Sequence, residues 1–262
     1  MNNYQASTSF VGKKNKYLDI CLSTNSLAFE EAISKELPDG FAWIAGHQTA
    51  GRGQRGNTWK AEPYQNLTFS ILLKPTPSLF EKQFYLSKAI ANGILAGLEN
   101  WSRATQGENF NFEIKWPNDI YLDGVKMGGI LIENNFQSGK WSFAVVGIGL
   151  NINQTNFENI RGTSLKSYLD LTNPISLPEI YGYLCEGIEP SYVLFQNQSL
   201  EKIDEIYHER LFRRSQWAIY EDQKERFEGK ILGVNEQGLL EIEKEFTVES
   251  YDLKEISFIF PA

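Results

Sequence analysis

Hydrophobic residues in the first 151 positions form short strand-like runs, separated by two longer runs with helical spacing. Short apolar runs bounded by turn residues are typical of buried strands. The helical runs cover residues 27–37 and 80–101, and in the second Phe84, Ala91, Leu95 and Leu98 recur near the helical period. This part of the chain therefore predicts a mixed α and β unit, with strands at residues 17–22, 41–46, 67–73, 112–116, 120–122, 129–134 and 141–151.

Glycines refine this prediction at two places. Gly93 and Gly97 lower the helix propensity of the second helical run, so we expect a neighbouring element to approach the helix closely there. The pairs at residues 123–124 and 138–139, Asp-Gly and Ser-Gly, are typical of hairpin turns between strands.

The pattern changes twice in the second half of the chain. Residues 164–212 have helical spacing, which we expect to be broken at Pro174, Pro178 and Pro190. After Arg214, short strands are predicted at residues 230–234, 239–248 and 256–260, the second of them alternating between apolar and polar positions. We interpret this tail as a small all-β barrel and predict two domains, residues 1–213 and 214–262.

Composition and charge exclude several classes of protein. Hydrophobic residues make up 42% and the formal net charge is −8, which excludes a disordered chain and argues against a protein that binds duplex DNA through a basic stripe. Cys21 and Cys185 fit no metal or disulfide motif, so we expect reduced thiols with at least one buried. The polar first residues and the absence of an apolar run of about 18 residues predict a cytoplasmic protein without membrane spans.

The segment at residues 51–56, with the sequence Gly-Arg-Gly-Gln-Arg-Gly, is the first candidate binding element. Its glycines allow backbone N–H groups to turn inwards, and Arg52 and Arg55 supply fixed positive charge, which suits a phosphate or carboxylate. Its spacing matches neither the P-loop nor the dinucleotide fingerprint. A flexible Gly/Arg loop that binds RNA is the alternative.

A second candidate runs from Lys115 through Trp-Pro to Asn118 and Asp119, followed by Lys126 in a Lys-Met-Gly-Gly-Ile-Leu run. The proline must break the strand and present the two polar residues at a turn. Two lysines that flank an aspartate suit a nucleotide triphosphate with its metal, although the same residues also form ordinary turns.

Two further segments have both a structural and a functional interpretation. Residues 147–153, Gly-Ile-Gly-Leu-Asn-Ile-Asn, mark either a bulge or a place where a ligand approaches a strand. Residues 23–25, Ser-Thr-Asn, cap a helix and could also hold a carboxylate or ureido group at its N-terminus. His47 and His208 are isolated in sequence and interpreted as structural, so covalent catalysis by an enzyme nucleophile has no support.

In this order, these segments resemble those of the biotin protein ligases, and Thr-Ser-Leu at residues 163–165 also matches. The resemblance covers the chain from about Tyr17 to its end. It implies an α+β fold: a mixed β-sheet flanked by helices, like the catalytic domain of class II aminoacyl-tRNA synthetases, with a small C-terminal SH3-like barrel. It further implies that ATP and Mg²⁺ activate biotin as biotinyl-5′-AMP, which is then transferred to a lysine of a biotin carboxyl carrier protein or of another acceptor domain of a biotin-dependent carboxylase.

The resemblance also implies roles for individual residues. Lys115 and Arg52 would be catalytic. Biotin would be held by Ser23, Thr24, Asn25, Gln48, Gly51, Arg52, Gly53, Lys126, Gly128 and Gly147. The nucleotide would be held by Arg52, Gln54, Arg55, Trp59, Lys115, Asn118, Asp119 and Asn151. No direct protein ligand for Mg²⁺ is expected: ATP would carry it, with Asn151 as the nearest candidate.

Two departures from the family pattern carry expectations. Gln54 stands where many members have an arginine that orders the loop over the adenylate, so we expect weaker retention of biotinyl-AMP unless Arg55 compensates. Only about twenty residues precede Ser23, which favours a monofunctional ligase without a DNA-binding domain. Lipoate–protein ligase, of related fold and chemistry, is the nearest alternative function, and the sequence leaves open a monomer or a homodimer.

Overall fold

The computed structural model describes residues 3–157 and 161–260, and its main feature is a seven-stranded sheet in the order β1-β2-β3-β7-β6-β5-β4. β1 and β2 are parallel, and every other neighbouring pair is antiparallel. The strands are β1 (Asn15–Cys21), β2 (Ala42–Gln48), β3 (Leu67–Leu73), β4 (Phe112–Lys115), β5 (Asp119–Leu122), β6 (Val125–Gln137) and β7 (Lys140–Leu150). All seven predicted strands are found: six have ends within two residues of the prediction, and β6 extends the predicted strand at 129–134 by four residues at its start and three at its end.

Within the described residues, five α-helices accompany the sheet: α1 (Thr24–Ser34), α2 (Gln83–Gln106), α3 (Leu165–Tyr168), α4 (Leu177–Gln196) and α5 (Leu200–Glu209). The close approach predicted at two glycines of α2 is confirmed. A Cβ added at Gly93 would lie 2.6 Å from the Cα of Ile188, and one added at Gly97 would lie 2.5 Å from the carbonyl oxygen of Tyr183, both on α4. These glycines therefore let the two longest helices pack backbone against backbone.

The predicted helix break at Pro190 is wrong. α4 continues through this residue as far as Gln196, and Pro178 occupies its first turn, where a missing N–H costs nothing. Buried residues on both sides of Pro190, Ile188 and Tyr192 among them, anchor α4 in the core. Tertiary packing therefore outweighs the hydrogen bond that the proline removes.

Two hydrophobic cores cover the two faces of the sheet. The larger one lies between the sheet, α2 and α4, and continues without interruption into the C-terminal strands. The smaller one packs α1 against the other face through residues such as Ala28, Trp43 and Phe143. The smaller core fixes α1, and with it the polar residues at its N-terminus, on that face.

The C-terminal strands form a five-stranded antiparallel sheet in the order β11-β10-β9-β8-β12. They are β8 (Trp217–Asp222), β9 (Arg226–Val234), β10 (Leu240–Lys244), β11 (Thr247–Tyr251) and β12 (Ile256–Phe258). The α+β fold with a C-terminal β unit is thus confirmed, whereas the single strand at 239–248 is wrong. The chain reverses at Glu245, whose φ is +52°, and Phe246 is fully exposed. An alternating pattern cannot reveal a two-residue turn that lacks glycine.

Buried polar contacts join this second sheet to the helices. Lys88 on α2 is fully buried, pairs with Asp204 on α5 and donates to the carbonyl oxygen of Val234 over 2.8 Å. The backbone N–H of Val234 in turn donates to Nε2 of His208 over 2.8 Å. This contact agrees with the interpretation of His208 as a structural residue. The predicted domain boundary after residue 213 stays a prediction.

Two features bear on the sequence-based exclusions. Both cysteines are free thiols, Cys185 buried and Cys21 partly exposed, as expected. Within residues 3–157 and 161–260, no helix combines the length and hydropathy that a membrane span requires.

Candidate functional site

A cleft of about 480 Å³ opens on the face of the large sheet that carries α1. Its floor is formed by small residues of three adjacent strands: Thr68 on β3, Gly129 on β6, and Gly147 and Gly149 on β7. Because these positions carry little or no side chain, the floor stays low while bulkier residues form the walls. The predicted strand glycines therefore leave the middle of the sheet without bulky side chains of its own.

The N-terminus of α1 forms one wall. Ser23 caps the helix, as predicted, by accepting a hydrogen bond from the N–H of Ser26. Thr24 donates from both its backbone N–H and its hydroxyl to Oε1 of Gln48, over 2.6 and 2.9 Å. These two bonds fix the orientation of the Gln48 amide, whose nitrogen makes no hydrogen bond to the described residues and can donate to a ligand oxygen.

Asn25, the next residue of α1, is packed directly over Gly147. A Cβ added at Gly147 would lie 2.3 Å from Oδ1 of Asn25. That oxygen lies 2.7 Å from the hydroxyl of Ser70, and Nδ2 of Asn25 donates to Glu133 over 2.9 Å. A Cβ at Gly149 would similarly lie 2.6 Å from the Trp59 ring. The groups that approach these two glycines are therefore side chains of the protein itself.

The Gly/Arg loop at residues 51–58 folds into a small hairpin over the cleft. A bridge joins Arg52 to Thr58, and the N–H of Gly53 donates to the carbonyl oxygen of Asn57 over 2.7 Å. Arg52 makes a two-pronged ion pair with Glu133 on β6, with N–O distances of 2.7 and 3.0 Å. Gln54 and Asn57 also line the cleft, so the loop brings one cation and two amides to the site.

Arg55 takes a different direction. Its guanidinium pairs with Asp252 over 3.0 Å and donates to the carbonyl oxygen of Leu253 over 2.6 Å. Both partners follow β11 in the C-terminal sheet. Arg55 therefore anchors the loop to that sheet and does not line the cleft, so in this arrangement it leaves the position of Gln54 without a substitute cation.

The turn between β4 and β5 forms the opposite wall. Asn118 exchanges hydrogen bonds with Ile130 on β6, and Asp119 pairs with Lys126 over 2.6 Å. Nζ of Lys115 lies 4.5 Å from the centre of the Phe258 ring. Burial lowers the pKa of Lys115 below its usual value, while Asp119 opposes this change. This wall thus presents the ammonium group of Lys115, whose charge is poorly solvated, so that binding of an anion beside it would be favourable.

Most of the predicted site residues meet in this cleft. The catalytic candidates Lys115 and Arg52 both line it. So do Ser23, Thr24, Asn25, Gln48, Gly53, Gln54, Trp59, Asn118, Asp119, Lys126 and Gly147.

Four predicted site residues do not line the cleft: Gly51, Arg55, Gly128 and Asn151. Gly51 and Gly128 allow close backbone packing, since a Cβ at Gly51 would lie 2.4 Å from the carbonyl oxygen of Trp59 and one at Gly128 would lie 2.5 Å from that of Gly149. Asn151 is buried directly after the end of β7, and its N–H donates to the carbonyl oxygen of Met127 over 2.8 Å.

Sequence reasoning missed several residues around the cleft. Ser70 and Glu133 orient Asn25, and the C-terminal sheet contributes Leu253, Ile256, Ser257, Phe258 and Phe260 to the walls. Side chains two residues apart on a strand point to the same face, so Glu133 lies on the same face of β6 as the cleft residues Gly129 and Leu131. The strand pattern could therefore have placed Glu133 on the cleft side. No local signal connects the C-terminal residues to the cleft, because their approach depends on docking of the second sheet.

The site offers few ligands for a metal held by protein alone. In the parts of the chain that the structure describes, no cluster of three or more His, Cys, Asp or Glu side chains has a metal-binding arrangement. Asp119 faces Lys126, which already balances its charge. A divalent cation at this cleft would therefore need oxygen ligands from a bound phosphate.

Comparison with known proteins gives consistent matches. Residues 17–151 match the sequence profile of the biotin/lipoate A/B protein ligase family. Biotin–protein ligase 2 of Arabidopsis thaliana is 28% identical over 193 residues, covering 72% of this chain and 56% of that protein. The bifunctional ligase/repressor BirA of Bacillus subtilis is 32% identical over 147 residues, covering 56% of this chain and 43% of that protein. The chain thus spans about half the length of the curated relatives it matches.

Solved structures share the fold along almost the whole chain. The biotin protein ligase from Aquifex aeolicus in complex with biotin and ATP matches with a TM-score of 0.73 at 24% identity, covering 94% of this chain and 98% of that one. The biotin protein ligase from Leishmania major in complex with biotinyl-5-AMP matches with a TM-score of 0.54 at 22% identity, covering 92% and 99%. At these identities, the likeness establishes a common fold for both sheets.

Proposed function

Because this chain belongs to the biotin/lipoate A/B protein ligase family, we propose that it is an ATP-dependent biotin–protein ligase. It would activate biotin as biotinyl-5′-AMP and transfer the biotinyl group to a lysine of a biotin carboxyl carrier protein or a similar acceptor domain. The names of its relatives support this activity, among them the biotin–[acetyl-CoA-carboxylase] ligase of Mycobacterium tuberculosis, 33% identical over 132 residues.

One observation carries the proposal: a single cleft combines neutral hydrogen-bonding groups at the α1 wall with cations from the Gly/Arg loop and from the end of β4. Ser23, Thr24 and Gln48 suit the ureido ring of biotin, which is uncharged and both donates and accepts hydrogen bonds. Arg52 and Lys115 suit a carboxylate and an α-phosphate. The cleft of about 480 Å³ between these groups leaves room for a ligand that contacts both.

In the first step, a carboxylate oxygen of biotin would form a bond to the α-phosphorus of ATP, and pyrophosphate would leave. The two reactants are anions, so the chain must hold them together and neutralise their charge. Lys115 would stabilise charge developing at the α-phosphate, and Arg52 would close over the carboxylate and the phosphate. Glu133 would keep the Arg52 guanidinium at the rim until the ligands arrive.

In the second step, the acceptor lysine would attack the carbonyl carbon of the mixed anhydride, and AMP would leave. The attacking amine comes from the acceptor, so the chain needs no nucleophile of its own. Cys185 is buried, and burial raises the pKa of Cys21 above its ordinary value. Both thiols are therefore poor nucleophiles, in keeping with direct transfer.

Mg²⁺ belongs to this proposal as a companion of ATP. The phosphates would supply the oxygen ligands that the described side chains do not, and the metal would neutralise part of the phosphate charge. Cytoplasmic location, the choice of acceptor, and a monomeric or homodimeric state stay predictions from sequence.

A purified sample tests the proposal directly. We expect biotin to stimulate exchange of label between pyrophosphate and ATP, lipoate to give no more than a small fraction of that rate, and an acceptor domain to gain the mass of one biotinyl group. Stimulation by lipoate alone would support the lipoate ligase alternative. RNA binding that falls steeply with salt, without either exchange reaction, would support the RNA-binding alternative.

A further inference from the structure

Cations around the cleft fall into two groups according to their partners. Arg52, Arg55 and Lys126 each have a carboxylate within 3.0 Å. Lys115, Arg161 and Arg213 have none within 4.0 Å among residues 3–157 and 161–260. Three cations without an ion-pair partner in the described chain stand out in a protein with a net charge of −8.

These three cations share one aromatic surface, formed by the rings of Phe258 and Phe260, both of which line the cleft. The guanidinium carbon of Arg213 lies 4.5 Å from the centre of the Phe260 ring, and that of Arg161 lies 4.9 Å from the same centre. Lys115 lies at 4.5 Å from the Phe258 ring. The rings of Phe258 and Phe260 thus contact cations from three separate parts of the chain.

The mode of contact leaves most hydrogen-bond donors available. A guanidinium stacked on a ring keeps its N–H groups pointing outwards in its own plane, where they can meet phosphate oxygens in pairs. Arg213 uses one nitrogen to donate to the carbonyl oxygen of Ile259 over 3.1 Å, which fixes its position. Its other nitrogens make no hydrogen bond to the described residues.

The charges also influence one another. Arg213 and Lys126 each lower the pKa of Lys115 further, beyond the effect of burial. Such mutual repulsion makes the cluster unfavourable on its own and favourable once an anion of high charge is bound. The cluster thus has the charge, the open donors and the position of an anion subsite at the edge of the cleft.

We propose that Arg161 and Arg213, together with Lys115, bind the β- and γ-phosphates of ATP and hold the departing pyrophosphate. The inference rests on the proposed function. As the bond between biotin and the α-phosphorus forms, the bond from that phosphorus to the bridging oxygen breaks, and its electron pair leaves with pyrophosphate. The two guanidiniums stabilise the charge that develops on that bridging oxygen and on the leaving group.

The experiment measures biotin-dependent pyrophosphate–ATP exchange in the wild type, Arg213→Gln, Arg161→Gln and a control, Arg103→Gln. Arg103 is exposed on the last turn of α2, outside the cleft, and the control removes the same single charge. We expect the KM for pyrophosphate to rise at least tenfold in Arg213→Gln and severalfold in Arg161→Gln, with the control unchanged. Transfer from preformed biotinyl-AMP to an acceptor domain and the Kd for biotin should stay within twofold of the wild type.

The outcomes separate this inference from the proposed function. Absence of biotin-dependent exchange in the wild type would reject the proposed function. Exchange in the wild type with an unaltered KM for pyrophosphate in both cleft variants would overturn the subsite. Equal loss of exchange and of transfer from preformed adenylate would also overturn it, since that result indicates general damage. Arg161→Gln guards against misfolding, because Arg161 is exposed and makes no hydrogen bond or ion pair with the residues that the structure describes.

Discussion

Replacing Gly147 with alanine tests whether this glycine shapes the site by letting Asn25 pack directly over the strand. The added Cβ would lie 2.3 Å from Oδ1 and 2.9 Å from Cγ of Asn25, whereas ordinary contact begins at 3.4 Å. Asn25 must therefore move by about 1 Å, which breaks its contact with Ser70 at 2.7 Å and its bond to Glu133 at 2.9 Å. Overpacking costs about 1–3 kcal/mol and each of the two lost hydrogen bonds about 1 kcal/mol, so we expect the free energy of unfolding to fall by about 3–5 kcal/mol.

A double-mutant cycle measures this contact by urea denaturation. In an Asn25→Ala background, all the clashing atoms are absent, so Gly147→Ala should cost less than 1 kcal/mol by the same reasoning. Biotin affinity, measured by calorimetry, should fall in Gly147→Ala because the end of α1 is displaced. An equal cost of Gly147→Ala in both backgrounds would refute the reasoning, since the loss would then arise elsewhere on β7.

Three further predictions concern charge and pH. Lys115→Ala should leave the Kd for biotin almost unchanged and lower the rate of adenylation by orders of magnitude; equal loss of both would show that the residue acts in binding. Gln54→Arg should slow the release of biotinyl-AMP from the purified protein, because an extra cation would face the phosphate, and an unaltered release rate would contradict this. Burial lowers the pKa of His208, whose Nε2 accepts from Val234, so the unfolded chain binds the proton more readily than the native protein. The free energy of unfolding should therefore decrease as pH falls through about 6.5, the unfolded value, and His208→Gln should remove that part of the dependence; an identical pH profile in the variant would contradict it.

Local chemistry made much of the fold and of the cleft predictable. Apolar runs, hairpin turns and paired glycines each carry their own signal, and so the strands of the large sheet and the contact between α2 and α4 follow from short windows of sequence. The segments around Ser23, Arg52 and Lys115 also meet in one cleft, because each follows or precedes a strand whose place in the sheet is set by its neighbours.

What sequence reasoning missed depends on contacts between distant residues. The partner of Arg55 is Asp252, 197 positions away, and no pattern near either residue indicates the other. The continuous helix at Pro190 depends on packing against α2, which outweighs a local preference. The turn at Glu245 was hidden because apolar residues kept their alternation across it, although Phe246 points into solvent.

The ion pair between Arg55 and Asp252 has a consequence for chimeric proteins. The loop over the cleft is fastened to the C-terminal sheet through one guanidinium, one carboxylate and the carbonyl oxygen of Leu253. A C-terminal unit transplanted from a relative would fit the helices and still leave the loop unfastened if it lacked an acceptor at that position. A chimera of two family members should therefore take the loop and the C-terminal unit from the same parent, because the contacts that hold the loop over the cleft come from both segments.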